Sequence, residues 1–199
     1  MRQKVLRPCV VLLCSLFLSI GVVCAHITPP VVLLSERDAI LGMMGNASRF
    51  FVREVKLTPE EREVLQQRWG WRPEEERYRF YLGRDASGQL VAAVTFLTEI
   101  TLHGPVRVAV GMGPDGKVKD AKVVELTEET FPWIKPLLDQ RLTQDYIGRD
   151  SRASFTLDER FARVHLESMP HFYGQIVASL IQRAVILFEV TVLQRREQL

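Results

Sequence analysis

Between Val106 and Thr130 apolar and polar positions alternate with a period of two, break at Pro114-Asp115-Gly116-Lys117, and then resume. Val106, Val108 and Val110 share one side of a strand, and Val118, Ala121 and Val123 or Val124 lie beyond the turn, which predicts a β-hairpin. Upstream, Tyr78, Phe80 and Leu82 alternate with Arg77, Arg79 and Tyr81, the pattern of a half-buried strand. Asp85-Ala86-Ser87-Gly88 then turns the chain into a stretch from Gln89 to Thr101 rich in Val, Thr and Phe. His103-Gly104-Pro105 reverses it again into the Val106 strand. Consecutive strands joined by short turns form an antiparallel meander, here of about four strands.

A helical period flanks this β region. Ser35 precedes Glu36 and Asp38 as a cap would, and Ile40, Leu41, Met44, Ala47 and Phe51 follow at helical spacing, predicting a helix from about Glu36 to Phe50. Thr58, Pro59 and Glu61 have the spacing of a capping box with proline in the first turn, and Gly70 is the stop. Trp69 and Trp71 beside that stop read as apolar anchors. Thr130 and Pro132 open a further helix or pair of helical turns through Trp133, Ile134, Leu137, Leu138 and Leu142, interrupted by Pro136 and ended near Gly148. From about Phe172 to Arg195, Ile176, Val177, Leu180, Ile181, Ala184, Val185, Phe188 and Val192 form one broad stripe. Gln175, Ser179, Gln182, Arg183 and Glu189 interrupt its apolar run, the mark of a packed amphipathic helix. The predicted fold is α+β: the meander packed with N-terminal helices and a long C-terminal helix.

Composition changes this picture mainly at the N-terminus. Arg2, Lys4 and Arg7 precede an apolar run from Val10 to Val23 and the small-residue site Val23-Cys24-Ala25, the layout of a signal peptide over residues 1–25. That layout predicts export to the periplasm or another extracytoplasmic space, with membrane anchoring if the segment is retained. Cleavage after Ala25 would remove Cys9, Cys14 and Cys24, all of the cysteines, and with them any disulfide or thiolate site. It would also remove three basic residues and no acidic ones, so the 26 Lys and Arg fall below the 24 Asp and Glu. Apparent basicity therefore belongs to the leader, and no basic patch argues for nucleic acid. Residues 26–199 contain no repeat or long linker and suit one domain.

The passage from Val106, continued by Glu129-Thr130, Leu137-Leu138-Asp139-Gln140 and Gly148, resembles the FMN-binding domain of flavin-carrying subunits of bacterial membrane redox complexes, over roughly residues 90–190. That family opens its final helix with an Asp, two spacers, Ser-Gly-Ala-Thr, a spacer and Ser or Thr. The corresponding run here is His165-Leu166-Glu167-Ser168-Met169-Pro170-His171-Phe172-Tyr173. Ser168 keeps its place; His165 and His171 stand where the family has the assisting aspartate and the threonine that carries flavin through a phosphoester. An imidazole cannot form that hydroxyl ester, so the resemblance implies FMN held noncovalently.

The resemblance also places Thr130 near a flavin, whereas its own sequence position reads equally as a helix N-cap. The helix start from Ser168 to Tyr173 is a seat for a phosphate by its backbone N–H groups and dipole, with Phe172, Tyr173 and Trp133 available for ring contacts. Trp69 and Trp71 have an alternative role as a stacking or docking pair. The candidate cofactor residues are thus Thr130, Ser168, His171, Phe172 and Tyr173.

Other chemistry is poorly represented. His26, as the first residue after cleavage, could chelate copper through its amine and imidazole, and His165 and His171 bracket the signature, but no tight metal-ligand or haem spacing occurs. There is no Gly-x-Ser-x-Gly elbow, phosphate loop or Rossmann glycine pattern. Glu128 and Glu129 read as dipole partners of a helix start. The expected function is an electron-transfer or redox accessory module working with a membrane redox complex or another electron-transfer protein. The competing expectation is a non-catalytic binding or assembly module on the same scaffold without flavin. No small-molecule substrate is indicated.

Overall fold

The computed structural model describes residues 28–158, 161 and 168–197. Its sheet has six antiparallel strands: β1 (Pro30–Val32), β2 (Arg49–Lys56), β3 (Arg77–Arg84), β4 (Leu90–Thr101), β5 (Gly104–Met112) and β6 (Val118–Thr127), in the order β1-β6-β5-β4-β3-β2. Helices α1 (Glu36–Met44), α2 (Pro59–Trp69), α3 (Phe131–Asp139) and α4 (Met169–Phe188) complete the α+β architecture, with a 3-10 turn at Leu142–Tyr146. Beyond α4 the chain continues through a π-helical turn, Glu189–Leu193, into α5 (Gln194–Glu197).

The hairpin explains how one side chain in each pair reaches the core. Val106, Val108 and Val110 do face one side, toward α4. Their partners on β6 are Val118, Ala121, Val123 and Leu126, which share that side although their spacing is not a simple period of two. Two bulges restore the phase: Met112 pairs with Val118 but Gly111 with Asp120, and Val108 pairs with Val123 but Arg107 with Glu125. The extra residues are Lys119 and Val124, and Val124 consequently points to the opposite face, against α1.

Two unequal layers cover the sheet. Most of α4 lies on one face, where Tyr173, Val177, Leu180, Ile181, Ala184, Val185 and Phe188 are buried among the β3 to β6 side chains. Met169–Leu193 is long and apolar enough to cross a membrane by length and composition, yet in this fold it packs along the sheet. On the other face, among the described residues, only α1 packs, placing Ala39, Met43 and Met44 over Ala92, Val94, Ala109 and Val124.

Two stretches differ from the sequence expectation. The predicted helix from Glu36 to Phe50 ends at Met44, and Arg49–Lys56 is instead an edge strand paired along its length with β3. Gly45, at φ 56°, breaks the helix, and the strand-forming run Phe50-Phe51-Val52 then competes on period-two terms. Pro30–Val32, for which the sequence pattern predicted no element, pairs with β6. By contrast the capping box forms as read: Glu61 N–H donates to Thr58 Oγ1 (3.2 Å), Thr58 N–H donates to Glu61 Oε2 (2.8 Å), and Gly70 ends α2 in the left-handed region. Pro136 sits inside α3 without ending it. The signal segment 1–25, His26 and His165 lie outside the described residues.

Candidate functional site

Helix α4 begins where the resemblance puts its signature. Ser168 is extended (ψ 149°) and its hydroxyl accepts the His171 N–H at 3.4 Å, while Phe172 N–H donates to the Ser168 carbonyl at 3.1 Å. Pro170 has no N–H. The cap thus uses the His171 N–H, and the backbone donors left at this helix start are those of Ser168 and Met169.

Across from it stands the β4–β5 turn. Thr101 Oγ1 donates to the Gly104 carbonyl (2.8 Å) and accepts the His103 N–H (3.1 Å), leaving one lone pair for the Tyr173 hydroxyl at 3.0 Å. Burial raises the Tyr173 pKa, the bond to Thr101 opposes this, and the Glu129 charge adds to it. The phenol is neutral and acts as donor. Gly104 has φ 98°, and a Cβ there would meet Thr127 Cγ2 at 2.4 Å, so the turn needs glycine for both conformation and space. Thr127 Oγ1 in turn donates to the His103 carbonyl at 2.7 Å.

A row of rings connects these parts. His103 meets Trp133 edge-on at 5.0 Å, Trp133 stacks on Tyr173 at 5.5 Å and 22°, and Phe172 meets Tyr173 edge-on at 5.3 Å. His103 Nδ1 lies 2.7 Å from Glu129 Oε1. The turn is thus fixed to α4 and to the end of β6 together.

Between the turn and α4 opens a cavity of about 910 Å³, within the range of small-molecule sites. Its walls are mainly apolar: Ile100, Leu102, Met169, Phe172 and Ile176. Six of the eleven lining residues are nevertheless polar: Glu99, Thr101, His103, Ser168, His171 and Gln175. His171 is 8% exposed; its Nε2 lies 2.9 Å from Gln175 Nε2, and its Nδ1, fully buried, has no hydrogen-bond partner among the described residues.

The structure brings Ser168, His171 and Phe172 together on this cavity. Tyr173 lies behind the wall, fully buried. Thr130 is also fully buried, its hydroxyl 3.1 Å from Thr127 Oγ1, and it makes no side-chain cap bond to α3. Its polar capacity is spent on Thr127, so it supports the floor of the site. Trp69 and Trp71 pack on the core elsewhere, with the Trp69 indole N–H donating to the Ser151 carbonyl at 3.2 Å and Trp71 edge-on to Tyr78 at 6.3 Å. Sequence reading missed Ile100 and Leu102, treating the neighbouring His103-Gly104-Pro105 only as a reversal. The available signal was an apolar residue placed in a turn: Leu102 is 101% exposed and Ile100 75%.

A smaller cavity of about 280 Å³ is lined by Trp71, Tyr78 and Arg183 together with Glu74, Glu75 and Glu99. Burial first, and the Glu75 charge second, push the Tyr78 phenol up to about 12. Among the described residues no three His, Cys, Asp or Glu side chains gather closely enough to hold a metal ion.

No family model matches the chain, and neither the curated proteins nor the solved structures contain a match to it.

Proposed function

We propose that this chain is an exported redox accessory module that holds a flavin noncovalently, FMN by resemblance, and serves an electron-transfer assembly in or at a membrane. The observation that carries the reading is the cavity at the start of α4, where Ser168, His171 and Phe172 converge on an apolar mouth. A flavin would supply one- and two-electron transfer that the surrounding side chains lack. The residues suit its ring. Phe172 offers an aromatic face, and Ile100, Leu102 and Ile176 supply apolar wall. Ser168 is occupied as the α4 cap, and His171 has no hydroxyl to esterify, which supports noncovalent binding.

The test is the absorbance spectrum of protein made in its native compartment, followed by acid precipitation. A flavin band whose fluorescence leaves with the supernatant is expected. Protein that stays colourless after incubation with excess flavin overturns the reading, and flavin retained in the precipitate overturns its noncovalent part.

One observation favours a second reading. Leu102 and Ile100, with Phe172 at 50% exposure, form an apolar rim more exposed than the walls of a closed cofactor site. A folded, colourless protein that does not take up flavin would assign this rim to a binding or assembly module in which the scaffold has no redox group of its own.

A further inference from the structure

Strand β2 forms one edge of the sheet, and among the described strands it pairs only with β3. The pairing runs from Arg49 to Lys56 without a bulge, so every second residue of a regular strand turns its N–H and C=O away from the sheet. Phe50, Phe51 and Val52 lie in the middle of this edge and are 53%, 48% and 61% exposed. Alternation sends Phe50 and Val52 to one face and Phe51 to the other, the face that carries the buried Val55. The apolar side chains therefore flank the open backbone on both sides, as a ridge onto which another strand can be laid.

Charge selects what is laid there. Arg49 and Arg53 stand before and after Phe51 on its own face, and Arg84 places a third guanidinium 6.0 Å from the Phe51 ring. The described ion pairs of the strand are Glu54 with Arg77 and Arg79, and Lys56 with Glu76; Arg49 and Arg53 take part in none of them. Strands β2 and β3 together carry six basic residues and one acidic residue. A second copy of this edge would meet that excess with charge of the same sign. An anionic bilayer would balance the charge and leave the outward backbone groups without directed partners.

We infer that the open edge of β2 is a docking site for an extended, acidic segment of another protein, which adds to the sheet as a further strand. Residues directly opposite one another share a face. The complementary segment therefore has carboxylates opposite Arg49 and Arg53 and apolar residues opposite Phe50, Phe51 and Val52. That pattern reads the same in both directions, so parallel and antiparallel addition keep both ion pairs. The site is independent of any flavin.

The experiment is titration of the full chain with an end-blocked Ser-Glu-Val-Ile-Val-Glu-Ser peptide and with its counterpart carrying Lys for Glu, followed by amide NMR shifts and hydrogen exchange. The acidic peptide should shift the amides of residues 49–56 and slow exchange at alternate ones. The basic peptide should bind at least about tenfold more weakly, from two exposed ion pairs exchanged for two repulsions, and high salt should narrow the difference. Arg49→Glu with Arg53→Glu should reverse the preference, with the melting temperature checked alongside. Should that variant fail to fold, Arg49→Gln, at an exposed position, should weaken the acidic peptide by about threefold. Absence of peptide binding, equal binding of the two peptides, or shifts centred away from β2 overturns the inference. Binding to phosphatidylglycerol vesicles without peptide binding assigns the edge to a lipid surface, and a dimer in sedimentation that Phe51→Glu dissolves assigns it to a second copy; each of these overturns it too.

Discussion

The two ends of α4 are built to opposite standards. At and just beyond its far end strong groups are engaged: Arg195 holds both Glu61 oxygens at 2.7 Å and donates to the Lys56 carbonyl, Glu189 accepts the Ser151 hydroxyl and faces Arg68, and Phe188 is buried against Phe80 at 5.9 Å. At its near end a buried imidazole nitrogen has no partner among the described residues, Phe172 is half exposed, and the wall opposite ends in a fully exposed leucine. One helix thus carries a locked end that secures the fold and an open end whose local rules are broken. Local violations gathered in one place, with the surroundings fully satisfied, are the expected mark of a binding site. The same contrast explains why the polar cavity beside Trp71 carries less weight: its charges are already paired or solvated.

The comparison can be broken most forcefully at the locked end. Phe188→Ala should destabilise the protein by about 3–5 kcal/mol through the cavity it leaves, read as a lower urea midpoint, without weakening ligand binding under native conditions. Arg195→Gln removes the charged fork from Glu61 and should cost about 1–3 kcal/mol, again by denaturation and again with unchanged ligand affinity. Leu102→Ser, at the open end, should change stability by less than about 0.5 kcal/mol and yet reduce flavin or partner binding. If Arg195→Gln lowers binding as much as Leu102→Ser does, the two ends are not independent and the division drawn here is wrong.

Which features were legible in the sequence follows from how local their causes are. The Thr58 capping box, the Gly70 stop, the Pro114-Asp115-Gly116 turn and the apolar stripe of α4 each depend on residues a few positions apart, and each formed where its pattern lay. The assignment of Val123 against Val124 could not be made from alternation, because bulges change the phase without any residue of special type. Strand β2 was hidden because Ala47 and Phe51 happened to extend a helical spacing past Gly45. At the site, Ser168, His171 and Phe172 are neighbours in sequence and were found together. Ile100 and Leu102 reach the same cavity only through the pairing of β4 with β5, whereas Thr130 does stand at the N-cap of α3, with its hydroxyl turned to Thr127 instead of to the helix.

Strand β1 imposes a condition on how the chain is made. Of the described strands it is the first to be synthesised, and β6, the strand it pairs with, is the last. Until β6 exists, three residues of β1 have nothing to pair with, and once it exists a long loop must close to join them, a slow step with little local reward. The outer edge of β6 is meanwhile unprotected, a place where another chain can add instead. Strand β1 therefore joins late in assembly, as a closing clasp on the edge of β6.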